Sequence, residues 1–328
     1  MSPRGELRMV PDAEPRTYYD RAVLKEPVWK ARYIPTYLFT GGLSAGCSLL
    51  GLGASLTGRH GLARRMRLGS LGAIAASTGV LVADLGRPER FHHMLRVLKP
   101  SSPMNVGSWL LAAYGPATGA AVVPDVLGRY PRLGRVAEAA AAALAPAVAT
   151  YTAVLVADTA VPAWHEARGD LPWVFAAGAA ASAGGLGLLT APTGEDGPAR
   201  RMALAGAAAE LASTQLMEHR LGELGEPYHS GPAGLLSRIA TVSTAAGGGL
   251  VALAAFASTP NRRLLDRVGG AVLLVGAAVE RFAVYEAGRS SARDPRYTVG
   301  PQRRRLDERA DRPARVRSPD EGRADGPD

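Results

Sequence analysis

Residues 34–56 read IPTYLFTGGLSAGCSLLGLGASL, a run of 23 residues without a charged side chain. An α-helix rises about 1.5 Å per residue, so a run of this length crosses the roughly 30 Å apolar core of a bilayer. A helix on the surface of a soluble protein carries a charged face, and this run has none. The stretch therefore predicts a transmembrane helix.

Seven further apolar runs follow, separated by connectors that carry Arg, Pro or Gly. The eight predicted spans cover residues 34–56, 69–86, 106–124, 138–158, 172–190, 202–217, 239–258 and 268–286. The sixth is the weakest because it is short and contains Glu210 and Gln215, so it predicts either a shielded span or an interfacial helix. The pattern indicates an all-α integral membrane protein, a bundle of eight transmembrane helices in the cell membrane, rather than a soluble Ala-rich bundle.

The net charge of the 328-residue chain is +9, and its basic residues lie at the ends of the spans rather than on one face. Arg64, Arg65 and Arg67 are an example, and arginines in such places anchor helices beside anionic lipid headgroups. Membrane lipid is therefore favoured as a partner over nucleic acid. A polar N-terminal segment, residues 1–33, and a charged tail, residues 289–328, flank the membrane domain of residues 34–288, and the tail is predicted to be disordered.

Cysteine and histidine placement restricts the cofactors of this chain. Cys47 is the single cysteine, which excludes an internal disulfide and a Cys-ligated iron–sulfur cluster. All six histidines fall in connectors or at span ends, whereas a haem anchored between spans needs histidine ligands inside them. We therefore expect no haem, no iron–sulfur cluster and no metal site in the chain.

The polar segment from Asp84 to Trp109, between the second and third spans, is the first candidate for chemistry. It contains Asp84-Leu85-Gly86-Arg87-Pro88, the pair His92-His93, and Asn105. An ionisable residue at a span end is costly to place in a membrane, and Asp84 has a potential ion-pair partner in Arg87. Carboxylate and imidazole side chains can bind and release protons, so Asp84, His92 and His93 are candidate proton carriers.

A second polar set lies deeper in the predicted bundle. It consists of Asp158, Glu210 and the pair Glu280-Arg281. Acids buried among spans are either proton relays or partners in structural ion pairs, and both interpretations stay open at this stage.

The polar segment also resembles a known family, the membrane subunits of the NrfD/PsrC type from polysulfide and nitrite reductase systems. The resemblance rests on the string at 84–88 with Phe91 and on residues 102–109, Ser-Pro-Met-Asn-Val-Gly-Ser-Trp. Further similarity lies around Tyr18 to Gly46, Tyr151 to Phe175 and Arg281 to Pro295, so that it covers residues 18–298.

The resemblance implies a subunit that exchanges electrons with menaquinone or ubiquinone and docks a four-cluster ferredoxin-like iron–sulfur subunit. That partner connects to a molybdopterin catalytic subunit, so the chain alone is not expected to act on the soluble substrate. By this resemblance, the quinone pocket is lined by Tyr37, Arg87, Asn105, Trp109 and Tyr151. The chain departs from one pattern of the family at the start of the first span, where Tyr33, Thr36 and Tyr37 stand in place of Asn- and His-type donors.

Two other functions are compatible with the same residues. In the first alternative, the chain is a passive anchor that holds the partner subunits at the membrane without binding quinone. In the second, which has less support, it is a transporter of protons or small solutes that uses the buried acids. Quinol-linked turnover separates the anchor from the redox subunit, and flux through the isolated chain in liposomes identifies a transporter.

Overall fold

A computed structural model of the chain describes residue 24, residue 27, residues 29–85 and residues 87–299. Within these ranges the chain is helical and contains no strand. Ten α-helices have both ends within the described residues: α1 Ile34–Leu56, α2 His60–Asp84, α3 Pro103–Leu127, α4 Pro131–Ala157, α5 Pro162–Glu166, α6 Leu171–Thr190, α7 Gly197–Leu221, α8 Glu226–His229, α9 Gly231–Leu253 and α10 Thr259–Arg293. Short 3-10 segments lie at Pro88–Leu95, Ala167–Gly169, Gly222–Gly225 and Ala254–Phe256.

The helix boundaries follow from proline and glycine. A proline stands in one of the first two positions of α1, α3, α4 and α6. At these positions the N–H that proline lacks would have no partner in the helix, so no hydrogen bond is lost. α3 ends on Gly128, which adopts the left-handed conformation (φ 64°) that favours glycine. The connectors that follow α1, α3, α6 and α9 are short, so the long helices alternate in direction. We call the end of the bundle at which α1 begins the proximal face and the opposite end the distal face.

Seven of the described helices are long and apolar enough to cross a membrane: α1, α2, α3, α4, α6, α9 together with Ala254–Phe256, and α10. The predicted all-α membrane bundle is thereby confirmed. The eighth long helix, α7, occupies the sixth predicted span and does not reach the same hydropathy. It packs so closely on α6 that a Cβ on Gly206 would lie 2.2 Å from the Ala181 nitrogen. Small residues thus bring a less apolar helix into the bundle.

The last long helix, α10, continues to Arg293, and Ser291 and Ala292 near its end are buried. Residues 300–328 lie outside the described residues, as do residues 1–23, which include Tyr18 and Tyr19.

A buried hydroxyl cluster joins α1, α2 and α3 near the middle of the bundle. The Tyr114 hydroxyl lies 3.0 Å from Ser44 Oγ, 2.7 Å from Ser48 Oγ and 3.1 Å from Ser70 Oγ. All four side chains are buried. Each hydroxyl both donates and accepts a hydrogen bond, so the cluster satisfies its members without water.

Tyr114→Phe is expected to lower the free energy of unfolding by about 1–3 kcal/mol, because it leaves buried serine hydroxyls without their partner. The measurement is SDS titration of the purified chain in mixed micelles. Tyr130→Phe is the matched control, since Tyr130 is 61% exposed. Equal effects of the two substitutions would contradict a stabilising role of the cluster.

Candidate functional site

A cavity of about 350 Å³ lies at the proximal face, between the first four helices and the 3-10 segment Pro88–Leu95. Its walls are mainly apolar and include Trp29, Leu81, Phe91, Met94 and Leu111. A mainly apolar cavity of this size with a few polar groups is typical of sites for small organic ligands. The polar side chains that line it are Tyr37, Thr78, Asp84, Ser108 and Tyr151.

Two of these polar groups are tyrosines from different helices. Tyr37 lies in the first turn of α1 and is 1% exposed, and Tyr151 lies in the last two turns of α4. Neither hydroxyl hydrogen-bonds to another of the described residues, so both remain available to a ligand. Two phenolic O–H donors can each bind a carbonyl oxygen.

Gly107 on α3 makes room for Tyr151. A Cβ at position 107 would lie 1.8 Å from Cζ of Tyr151 and 1.9 Å from its hydroxyl oxygen. Such distances are far below van der Waals contact, so a glycine at this position lets the tyrosine ring lie across α3 at the wall of the cavity.

Asp84 brings a carboxylate to the cavity from the last residue of α2. Its Oδ1 accepts a long hydrogen bond of 3.4 Å from the backbone N–H of Lys30. Arg87, its potential ion-pair partner, makes no ion pair with Asp84 within the described part of the chain, and the backbone between them is extended at Leu85 (φ −67°, ψ 137°). The carboxylate is therefore left available at the cavity.

His92 and His93 are placed differently from Asp84. Both lie on the exposed side of the 3-10 segment and neither lines the cavity. Their rings meet edge to face with centroids 4.5 Å apart. Desolvation, followed by the charges of Arg96 and His92, lowers the pKa of His93 below the usual value for an imidazole. The shift favours the neutral form of His93, which can act as a base at the water-facing rim.

Three other predicted pocket residues shape the surrounding loop instead of lining the cavity. Asn105 accepts a 2.6 Å hydrogen bond from the N–H of Lys99 and donates one of 2.8 Å to the carbonyl of Met94, which is a wall residue. Trp109 donates to the carbonyl of Val97 at 3.3 Å. Arg87 is exposed and precedes the 3-10 segment. The structure thus brings Tyr37, Asp84 and Tyr151 together.

A family profile described as polysulphide reductase, NrfD matches residues 23–194 of the chain, 172 of its 328 residues. The chain belongs to the NrfD family. The match contains α1 to α4 and α6, and with them every helix that contributes to the cavity. Members of the NrfD family are integral membrane subunits of respiratory oxidoreductases that work in multi-subunit complexes. No curated protein matches the chain.

The second polar set of this NrfD-family chain lies in the other half of the bundle, and three of its four members meet. Arg281 is 2% exposed, pairs with Glu280 through Nη1 and donates from Nη2 to the carbonyl of Phe175 at 2.8 Å. Its guanidinium stacks 3.8 Å from the centroid of the Phe175 ring. Glu210 accepts a 3.3 Å hydrogen bond from Thr244, and its Oε1 has no partner in the described residues.

Glu210 and Arg281 approach the same point of α6. A Cβ on Gly178 would lie 2.8 Å from Glu210 Oε1 and 2.9 Å from Arg281 Nη2. Asp158 is not part of this cluster, since it caps the exposed end of α4. Among the described residues no three metal-ligating side chains come close enough to hold a metal ion.

Two groups were not predicted from the sequence. Trp29, Trp164 and Tyr285 form an aromatic stack with centroids 6.1 and 6.0 Å apart, which supports the cavity wall at Trp29. Arg67 was interpreted as a span-end anchor, yet it binds Asp125 at 2.7 Å and Glu138 at 3.0 Å near the distal face. The sequence feature that could have predicted these ion pairs is the presence of Asp125 and Glu138 at the ends of two consecutive spans, where each acid needs a cation.

Proposed function

We propose that this chain is the quinone-reactive membrane subunit of a respiratory oxidoreductase complex, exchanging electrons between an iron–sulfur partner subunit and the quinone pool. The observation that carries the proposal is the proximal cavity, with apolar walls and with Tyr37, Tyr151 and Asp84 as polar groups. Its volume suits a menaquinone or ubiquinone ring. A passive anchor needs no such cavity.

The three side chains match what quinone reduction requires of a protein. The ring has two carbonyl oxygens, and the Tyr37 and Tyr151 hydroxyls are two donors from separate helices. Reduction consumes two protons, and Asp84 provides the carboxylate in the lining that can carry them. We further propose that His92 and His93, at the exposed rim, exchange protons with water.

The proposed surface for the iron–sulfur partner is the proximal loop, residues 87–102 between α2 and α3. We take this partner to be a four-cluster ferredoxin-like subunit connected to a molybdopterin catalytic subunit. The loop follows the cavity wall and exposes large apolar side chains: Phe91 (47%), Val97 (67%) and Leu98 (62%). Apolar side chains grouped on one surface segment mark protein interaction sites. A partner bound there would lie next to the cavity, and electron transfer requires such a short distance between donor and acceptor.

The test is quinol-linked turnover of the purified complex. Asp84→Asn is expected to lower turnover by about 100-fold, since a positioned acid–base group contributes roughly 10²–10⁴. His92→Ala with His93→Ala is expected to lower it by only about threefold, because water can replace an exposed proton carrier at the rim. Glu89→Gln is the matched control, an exposed carboxylate of the same loop.

Activity of the partner subunits with an artificial electron carrier must stay unchanged in all variants, so that loss of assembly is recognised. Full quinol-linked turnover in Asp84→Asn would contradict the assigned proton carrier. Absence of quinone binding by the unmodified complex would show that the chain is a passive anchor.

A further inference from the structure

A second large cavity, of about 370 Å³, opens at the distal face, at the end of the bundle opposite the proximal cavity. It lies between the end of α6, the connector to α7 and the first three turns of α10. Because the cavity lies where the apolar helix α6 ends and the apolar helix α10 begins, we place it at the level of the lipid headgroups. It shares no lining residue with the proximal cavity.

The lining of the distal cavity has an excess of positive charge. Arg262, Arg263 and Arg267 line it, together with Asp196 and Asp266. Both acids are already engaged by Arg200, which binds Asp266 at 3.1 and 2.5 Å and also pairs with Asp196.

The three lining arginines keep most of their hydrogen-bonding capacity. Arg262 reaches Asp196 only at 3.9 Å, and its buried Nε has no partner within the described ranges. Arg263 donates to Thr193 Oγ1, a neutral group. Arg267 makes no ion pair with any residue that the structure describes. Guanidinium groups that are not neutralised by protein acids are suited to bind an anion.

Two helix N-termini point to the same kind of ligand. Gly197 begins α7 and Thr259 begins α10, and both residues line the cavity. Neither helix has a side-chain hydrogen bond to its first turn. The first N–H groups of a helix lack intrahelical partners and carry partial positive charge, which favours an anion.

We propose that the distal cavity binds the phosphate group of an anionic phospholipid. The arginines provide planar donors for the phosphodiester oxygens, and the uncapped turns of α7 and α10 add backbone N–H groups. The headgroup level of the cavity makes a lipid the source of the phosphate, in place of a free phosphate ion. A bound lipid would hold α6, α7 and α10 together at this face.

The experiment measures phospholipid retained by the purified full chain, by native mass spectrometry after exchange into neutral detergent and titration with phosphatidylglycerol. The variant Arg262→Gln with Arg263→Gln and Arg267→Gln is expected to bind about 100-fold more weakly, on the order of fivefold for each arginine. Arg200 and its acids are untouched, so the fold is kept.

The matched control replaces Arg129, Arg132 and Arg135 by glutamine. These three arginines are also exposed at the distal face but do not line the cavity. The control is expected to bind phosphatidylglycerol as the unmodified chain does. Equal loss in both variants would overturn the proposal in favour of diffuse attraction to the bilayer.

Inorganic phosphate and vesicles of phosphatidylcholine alone complete the test. If millimolar phosphate displaces phosphatidylglycerol and stabilises the chain equally well, the ligand is a free phosphate and the lipid assignment is wrong. If phosphatidylcholine is retained as well as phosphatidylglycerol, charge does not select the ligand and the proposal fails. None of these measurements uses quinol turnover, so the result is independent of the proposed redox function.

Discussion

Replacement of Gly107 by alanine is expected to reduce quinone affinity by at least about 10-fold. The new Cβ would lie 1.8 Å from Cζ of Tyr151, so the ring has to leave its position at the wall or α3 has to move. Either change removes a donor from the cavity or alters its shape, and a lost donor contact of about 1.5 kcal/mol alone corresponds to roughly 10-fold. Binding of a short-chain quinone is measured by quenching of tryptophan fluorescence, since Trp29 lines the cavity.

Gly115→Ala is the matched control on the same helix. A Cβ at position 115 meets no atom within 4 Å, so this variant is expected to bind quinone as the unmodified chain does. Thermal unfolding of both variants shows whether the fold is retained. A folded Gly107→Ala protein with unchanged affinity would show that the quinone does not bind beside Tyr151.

Arg281→Met is expected to be the most destabilising single substitution discussed, lowering the free energy of unfolding by roughly 3–5 kcal/mol. The guanidinium is 2% exposed and pairs with Glu280. Its removal leaves Glu280 and the neighbouring Glu210 as buried acids without a cation. SDS titration in mixed micelles measures the loss, and Arg238→Met, at an exposed arginine of α9, is the control.

Two further variants separate the structural pair from the proton relay. Glu280→Gln combined with Arg281→Met is expected to recover part of the lost stability, because one buried charge is removed together with its partner. Glu210→Gln keeps the acceptor for Thr244 and is expected to leave quinol-linked turnover unchanged if the cluster is structural. A large drop in turnover of a stable Glu210→Gln protein would identify the cluster as a relay.

The membrane spans were predictable because long apolar runs have one physical solution in a bilayer. With no water to bind backbone N–H and C=O groups, each run must close its own hydrogen bonds as a helix. The predicted sixth span was the weakest for a reason that the structure retains: α7 contains Glu210 and is not among the helices apolar enough to cross alone. Its place in the bundle depends on close packing with α6, which no single-helix pattern reveals.

The candidate site was predicted in part. Tyr37, Asp84 and Tyr151 line the proximal cavity, whereas Arg87, His92, His93, Asn105 and Trp109 do not. The latter five all belong to the polar segment from Asp84 to Trp109, which continues into the first turns of α3. These residues are close to Asp84 in the chain, which suggested that they are also close to it in space. In the structure the histidines of the 3-10 segment face the water, and Asn105 of α3 hydrogen-bonds to the backbone of the loop.

By itself the sequence determined that the chain is a helical membrane protein, that it has eight apolar runs in this order, and that a polar segment begins at Asp84 near the end of the second run. The limits of the helices were not determined, since α2 and α10 each begin nine residues before the predicted spans. Only the tertiary structure decided that Arg87, His92 and His93 stay outside the cavity that Tyr37, Asp84 and Tyr151 line, and that three arginines of α10 meet two uncapped helix ends. The physical reason is that spans apolar on every side carry no amphipathic pattern, so the face that turns inward is set by packing against the other helices.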